Sequence, residues 1–199
     1  MRAIAIALGV IALAAPACGG ASSARFNADP QHDLLTLDQM ESPGFTVESP
    51  PASKSAADLA AGDQTGLDRL DTDGFAAAAS VGYARTVDFA TSNGPIAVVD
   101  TVERFNNEVG AHSSYAGDIA DRDRLQGEVA VSTGPLGDEA HADSLVMTAP
   151  DGIQAVQITL EWRVDNVIVV LQVRGRYGGA RLDDALLLAH KQTSTQLAA

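Results

Sequence analysis

Asp138, Glu139, His141 and Asp143 form the densest run of metal-ligand side chains in this 199-residue sequence. Carboxylates and an imidazole so spaced on a loop could hold a cation, but a coordination sphere needs a second group of donors at ligand spacing, and none follows. A polar hairpin loop with exposed carboxylates accounts for the run without a metal. Asp71-Thr72-Asp73-Gly74 invites a calcium reading. An EF-hand loop would require an acid where Arg69 stands and a glutamate where Ser80 stands, so the segment reads as a solvated turn. His32, His112, His141 and His190 fall into no HExxH or paired-ligand spacing. Neither a metal nor another cofactor is expected.

Nucleophilic chemistry fares no better. Ala130-Val131-Ser132-Thr133-Gly134 approaches a nucleophile elbow, with His190 downstream in the right chain order. That elbow needs a strand-to-helix turn in a parallel sheet, whereas Gly134-Pro135 and further strands follow Ser132. Lys54 and Lys191 are the only lysines, and neither sits in a Ser-x-x-Lys arrangement. Gly175-Arg176-Tyr177-Gly178-Gly179 lacks the Lys-Ser/Thr pair of a phosphate-binding loop. Trp162, Arg163, Arg174, Arg176 and Tyr177 are residue types favoured at recognition hot spots. For Trp162 the reading preferred is core, because it lies on an alternating apolar face. The expectation is a protein that is not an enzyme.

One residue has a chemistry set by position. Met1-Arg2, the apolar run Ala3 to Ala14 and then Ala15-Pro16-Ala17 before Cys18 make a secretory signal over residues 1–17. The run is too short to span a bilayer, which takes roughly 20 apolar residues. Cys18 is the only cysteine, so it closes no intramolecular disulfide. Its place after small residues resembles a lipobox, with Ala15 standing where leucine is usual. Lipidation of Cys18 is the preferred reading, with simple secretion after Ala17 as the alternative. Residues 18–32 read as a flexible tether and 33–199 as one extracytoplasmic domain on the outer face of a cell membrane. A formal charge of −13 argues against nucleic acid, whose phosphates demand Lys and Arg. The membrane, through the anchor, and an unidentified protein or small molecule are the expected partners.

The elements follow from periodicity. Leu34, Leu35, Leu37 and Met40 open an apolar stretch, and Phe45-Thr46-Val47 after the Ser42-Pro43-Gly44 turn fits an edge strand. Ser49-Pro50-Pro51-Ala52-Ser53 reads as a loop. From Ala56 to Arg85 the spacing of Leu67, Leu70, Gly74, Ala77 and Val81 predicts helix, broken near Asp73-Gly74. Ile96 to Phe105 alternates as a strand. Val109, Ser113, Ala116 and Ile119 recur at helical spacing behind an Asn106 or Asn107 cap. Short strands are expected at Glu128–Ser132 and Ser144–Ala149, with a turn at Pro150-Asp151-Gly152. Val156, Ile158, Leu160, Trp162 and Val164 then alternate, with Glu161 on an opposite face read as wet. Asp165-Asn166 makes a two-residue hairpin link into Val167–Val173, which is apolar on both faces and therefore central. Leu182, Ala185, Leu186, Ala189 and Thr193 close the chain as an amphipathic helix. The fold class is α+β: an antiparallel C-terminal meander with helices packed on one face.

Leu35-x-Leu37-Asp38 with Pro43-Gly44-Phe45, Leu136-Gly137-Asp138-Glu139-Ala140 and the Glu161-Trp162-Arg163 to Asn166-Val167 hairpin resemble a pattern of uncharacterised bacterial lipoproteins. These are broadly like the extracellular sensor-type domains of actinobacteria. The resemblance implies an exported α+β domain and brings no catalytic residues. The leading function is thus a non-enzymatic, membrane-anchored domain that binds a ligand or partner, as a sensor or envelope accessory. The alternative is a carrier of a lipid or other apolar ligand. An enzyme ranks third.

Overall fold

The computed structural model describes residues 25–125, 127–148 and 152–198. The expected signal, Cys18, residues 18–24 of the expected tether and the Pro150-Asp151 part of the expected turn lie outside them. Seven strands form a single antiparallel sheet: β1 (Phe45–Lys54), β2 (Phe75–Arg85), β3 (Ala97–Phe105), β4 (Glu128–Val131), β5 (Glu139–Thr148), β6 (Gln154–Val164) and β7 (Val167–Arg176). Their order is β1-β2-β3-β7-β6-β5-β4. Two meanders therefore meet where β3 pairs with β7. Helices α1 (Ala56–Ala60) and α2 (Gln64–Thr72) lie between β1 and β2, α3 (Glu108–Arg122) links the meanders, and α4 (Leu182–Thr195) ends the fold. The class is α+β, as read from the sequence.

The β6–β7 hairpin sits where the alternation puts it, with Val164 opposite Val167 and Asp165 at φ 55°. Val156, Ile158, Leu160 and Trp162 face α4 and join Val98, Val102, Val169 and Leu171 with Ala185, Leu188 and Ala189 in the larger core. The helices divide between the faces. On the other side of the sheet a smaller cluster joins Leu70 of α2, Ala111 and Tyr115 of α3, and Phe105 and Ile168. That second face is dry: Thr159, Glu161 and Arg163 are all buried, so the wet face expected at Glu161 is not there. Covering helices rather than water take up its polar side chains.

Four further differences have local causes. Phe75–Arg85 is strand, not helix. Its alanines favour helix, but Gly74 at φ 76° ends α2, and pairing on both sides with β1 and β3 overrides propensity. Ser49–Ser53 belongs to β1 rather than to a loop. Two prolines are tolerated because β1 is an edge strand whose register slips between Val47 and Ser49 and again between Ser49 and Ala52. The stripe Val109, Ser113 and Ala116 faces solvent, Val109 being 72% exposed, and α3 buries Gly110, Ala111, Ser114 and Tyr115 instead. Finally, residues 25–32 of the expected tether pack on the fold. Phe26 is buried, and its backbone exchanges hydrogen bonds of 2.9 Å with the Asn166 side chain.

Candidate functional site

The fold separates most of the residues singled out for chemistry. Ser132 is exposed just past β4 and His190 is exposed on α4, with no hydrogen bond between them. Trp162 is fully buried against α4, in the core as its alternation requires. The Asp138–Asp143 run is not an exposed loop: Glu139, His141 and Asp143 lie on β5, which pairs along its length with β6. There Arg163 draws the run together from beneath. Its Nε donates to Glu139 at 3.1 Å, and its Nη1 lies 3.5 Å from Asp138. His141 pairs with the buried Asp143 at 3.0 Å. Among the described residues no group of three or more His, Cys, Asp or Glu side chains has the geometry to hold a metal.

The chemistry concentrates elsewhere, in a layer of charge between the second sheet face and helices α2 and α3. Asp118, Asp121 and Arg122 recur at spacings of three and four, so one face of α3 presents all three. Arg69 of α2 crosses to this face and bonds Asp118 through Nη2 and Asp121 through Nη1, the latter at 2.6 Å. It fits because residue 117 is glycine; a Cβ there would come within 2.8 Å of the Arg69 side chain. Arg122 donates from Nε to Glu161 of β6 at 3.1 Å. Glu103 of β3 lies in the same layer, 8% exposed, and makes no hydrogen bond or ion pair among the described residues. Loss of water, reinforced by Asp118 and Glu161, pushes its carboxyl up to about 8. Burial likewise raises Glu161, and it raises Asp118 against the pull of Arg69.

Beside Glu103 lies a cavity of about 150 Å³, lined also by Leu59, Ala60, Asp63, Gly66, Arg69, Leu70 and Asp118. Sequence reasoning missed this constellation. Its signal was a charged residue at each of two strand positions, Glu103 and Glu161, whose flanking strand β7 was already recognised as apolar on both faces.

A separate buried carboxylate marks the first face. Asp100 of β3 accepts from the Leu35 backbone at 2.7 Å and from Gln192 of α4 at 2.9 Å, while Tyr83 donates to the Leu35 carbonyl. Burial pushes Asp100 up to about 7 although those two donors favour its charged form. These bonds, with Gln192 donating to the Asp33 carbonyl, fasten residues 33–35 and α4 to the sheet.

No family description and no curated relative matches the chain. Among solved structures it is similar to the extracellular domain of PknH from Mycobacterium tuberculosis. The TM-score is 0.50 at 14% identity, and the match covers 84% of this chain and 94% of that one. At that identity the likeness is one of fold, and it extends over nearly the whole of the other domain.

Proposed function

We propose that this chain is a non-enzymatic, lipid-anchored domain outside the cytoplasm that binds a small ligand or a partner, as a sensor or envelope accessory. The observation that carries the reading is the fold shared with an extracellular domain of PknH. The secretory start and the solitary Cys18 support the address and the anchor. Two chains on a lipidated cysteine would supply the two membrane signals that stable attachment takes.

Packing favours this reading over carriage of an apolar ligand. Leu160, Trp162 and Leu171 are fully buried between sheet and α4, and the apolar recess beside α4, lined by Met40, Phe45, Val98 and Leu188, holds only about 20 Å³. Ligand pockets for apolar molecules run to roughly 300–1,000 Å³. Native mass spectrometry of the full chain, extracted in detergent from its own host, tests the choice. A retained polar small molecule or a stoichiometric protein partner is expected. A lipid retained non-covalently by the Cys18→Ser variant would favour the carrier, and ester turnover lost in Ser132→Ala would restore an enzyme.

A further inference from the structure

A buried charge needs a partner or a proton, and Glu103 has no partner among the described residues. Arg69 spends both Nη atoms on Asp118 and Asp121, its buried Nε making no hydrogen bond among the described residues, and Arg122 is paired with Glu161. Among the described residues Asp118 is hydrogen-bonded only through Oδ1. Glu103, Asp118 and Asp63 thus give the cavity three carboxylates against one guanidinium whose two Nη atoms are already paired. The remaining walls include Leu59, Ala60 and Leu70. A volume of about 150 Å³ far exceeds the roughly 10–15 Å³ that one water needs, so a small organic cation has room there. An ammonium offers three donors on a compact charge, and its methylene stem suits apolar walls.

We propose that this cavity is a binding site for an alkylammonium group, its charge held by Glu103 and Asp118 and its methylenes lying against Leu59 and Leu70. The inference rests on the reading of the domain as a binding module, and not on its anchor. The amine has two possible sources, a free small molecule or a lysine side chain presented by a partner. Both share this chemistry.

The groups around Glu103 are Asp118 and Arg122 from α3, Arg69 from α2, Glu161 from β6 and Asp63 at the cavity wall. A bound cation favours ionised Glu103, so ammonium affinity should rise severalfold as pH climbs toward about 8.

The test is methyl NMR of the full chain in detergent, following Leu59 and Leu70 while n-butylammonium chloride is added, with sodium chloride and n-butanol as controls. Capped lysine, Nα-acetyl-lysine methylamide, forms the second arm. Saturable shifts with butylammonium but not with butanol are expected, at least tenfold weaker in Glu103→Gln. Ala60→Leu, which fills the cavity and keeps its charges, should weaken binding similarly and serves where Glu103→Gln does not fold. Binding of free amine alone assigns a small metabolite, and equal or tighter binding of capped lysine assigns a partner's side chain. Unmoved methyls at tens of millimolar, equal response to butanol, or affinity unchanged in both variants would overturn the site. If native mass spectrometry then still finds another ligand, the ammonium assignment falls while the binding module stands; if it finds none, both fall.

Discussion

Burying a carboxylate costs several kcal/mol unless it is paired or takes up a proton, and this chain buries Asp100, Glu103 and Glu161 within its sheet. The proton is the cheaper solution for Asp100, pushed up to about 7, and for Glu103, pushed up to about 8. Both values lie above those of the unfolded chain, so the folded state binds more protons between the two. Their contribution to stability is full only below the ordinary carboxyl values of 3.8 and 4.5, declines as pH rises from there, and is gone above about 7 and about 8. Urea midpoints should therefore fall from about pH 5 to about pH 8, and Asp100→Asn should make the fall shallower. An unchanged slope in that variant would contradict the assignment. For Glu161 the pairing with Arg122 matters more. Arg122→Ala should cost about 1–3 kcal/mol by leaving the buried Glu161 carboxyl without its donor, and Glu161→Gln in the same chain should recover part of it. Glu161 was read from the sequence as a solvent-facing neighbour of Leu160 and Trp162. Alternation assigns a residue to a face, but it does not say what covers that face. The two-sided apolar pattern of Val167 to Val173 was the better guide, because a strand covered on both faces implies that its neighbour is covered too.

The C-terminal hairpin was legible because its signals agree: period-two alternation, a two-residue Asp-Asn link and β-branched side chains. Leu160→Ala, at a fully buried position, should accordingly cost about 2–5 kcal/mol in chemical denaturation. The alanine-rich Phe75–Arg85 stretch was not legible, since alanine fits either period and only pairing with β1 and β3 decides. Helix α3 was found but turned to the wrong face. Its contact with the rest of the chain runs through small residues, which carry little hydrophobic signal. Gly110 is the tightest of these, where a Cβ would stand 1.9 Å from the Asp73 carbonyl oxygen at the end of α2. Gly110→Ala should force α3 off α2 and lower stability by about 1–3 kcal/mol. Ala at an unobstructed helix position would instead stabilise by up to about 1 kcal/mol, so a Gly110→Ala chain as stable as the native one, or more so, would contradict the packing. At the sheet edge, Pro50 and Pro51 remove two donors from β1. Replacing both with valine should expose a pairing edge, seen as concentration-dependent self-association in light scattering.

At the scale of the whole molecule, an acidic chain with a formal charge of −13 and an α+β fold has an apolar run at Ala3 to Ala14 and one cysteine, Cys18, shortly after it. None of its described helices is long and apolar enough to cross a membrane. The fold is shared with a domain that lies outside the cell, and the buried charged layer gives it a polar cavity where an apolar carrier would be hollow. The anchor proposed at Cys18 rests on the sequence alone, since lipidation is read from local chain chemistry. The cavity was not legible there, because Glu103, Arg69 and Asp118 meet only when β3, α2 and α3 are assembled. The central claim, a tethered domain on the outer face of the membrane, is tested most directly by labelling the native host with a fatty-acid analogue and fractionating the cells. Wild-type chain should carry the label in the membrane fraction and be cleaved by protease added to cells whose outer layers have been opened. Cys18→Ser should be unlabelled and recovered outside the cytoplasm in the soluble fraction. Wild-type protein that never takes up the label, or that stays protected inside the cytoplasm, would contradict the account.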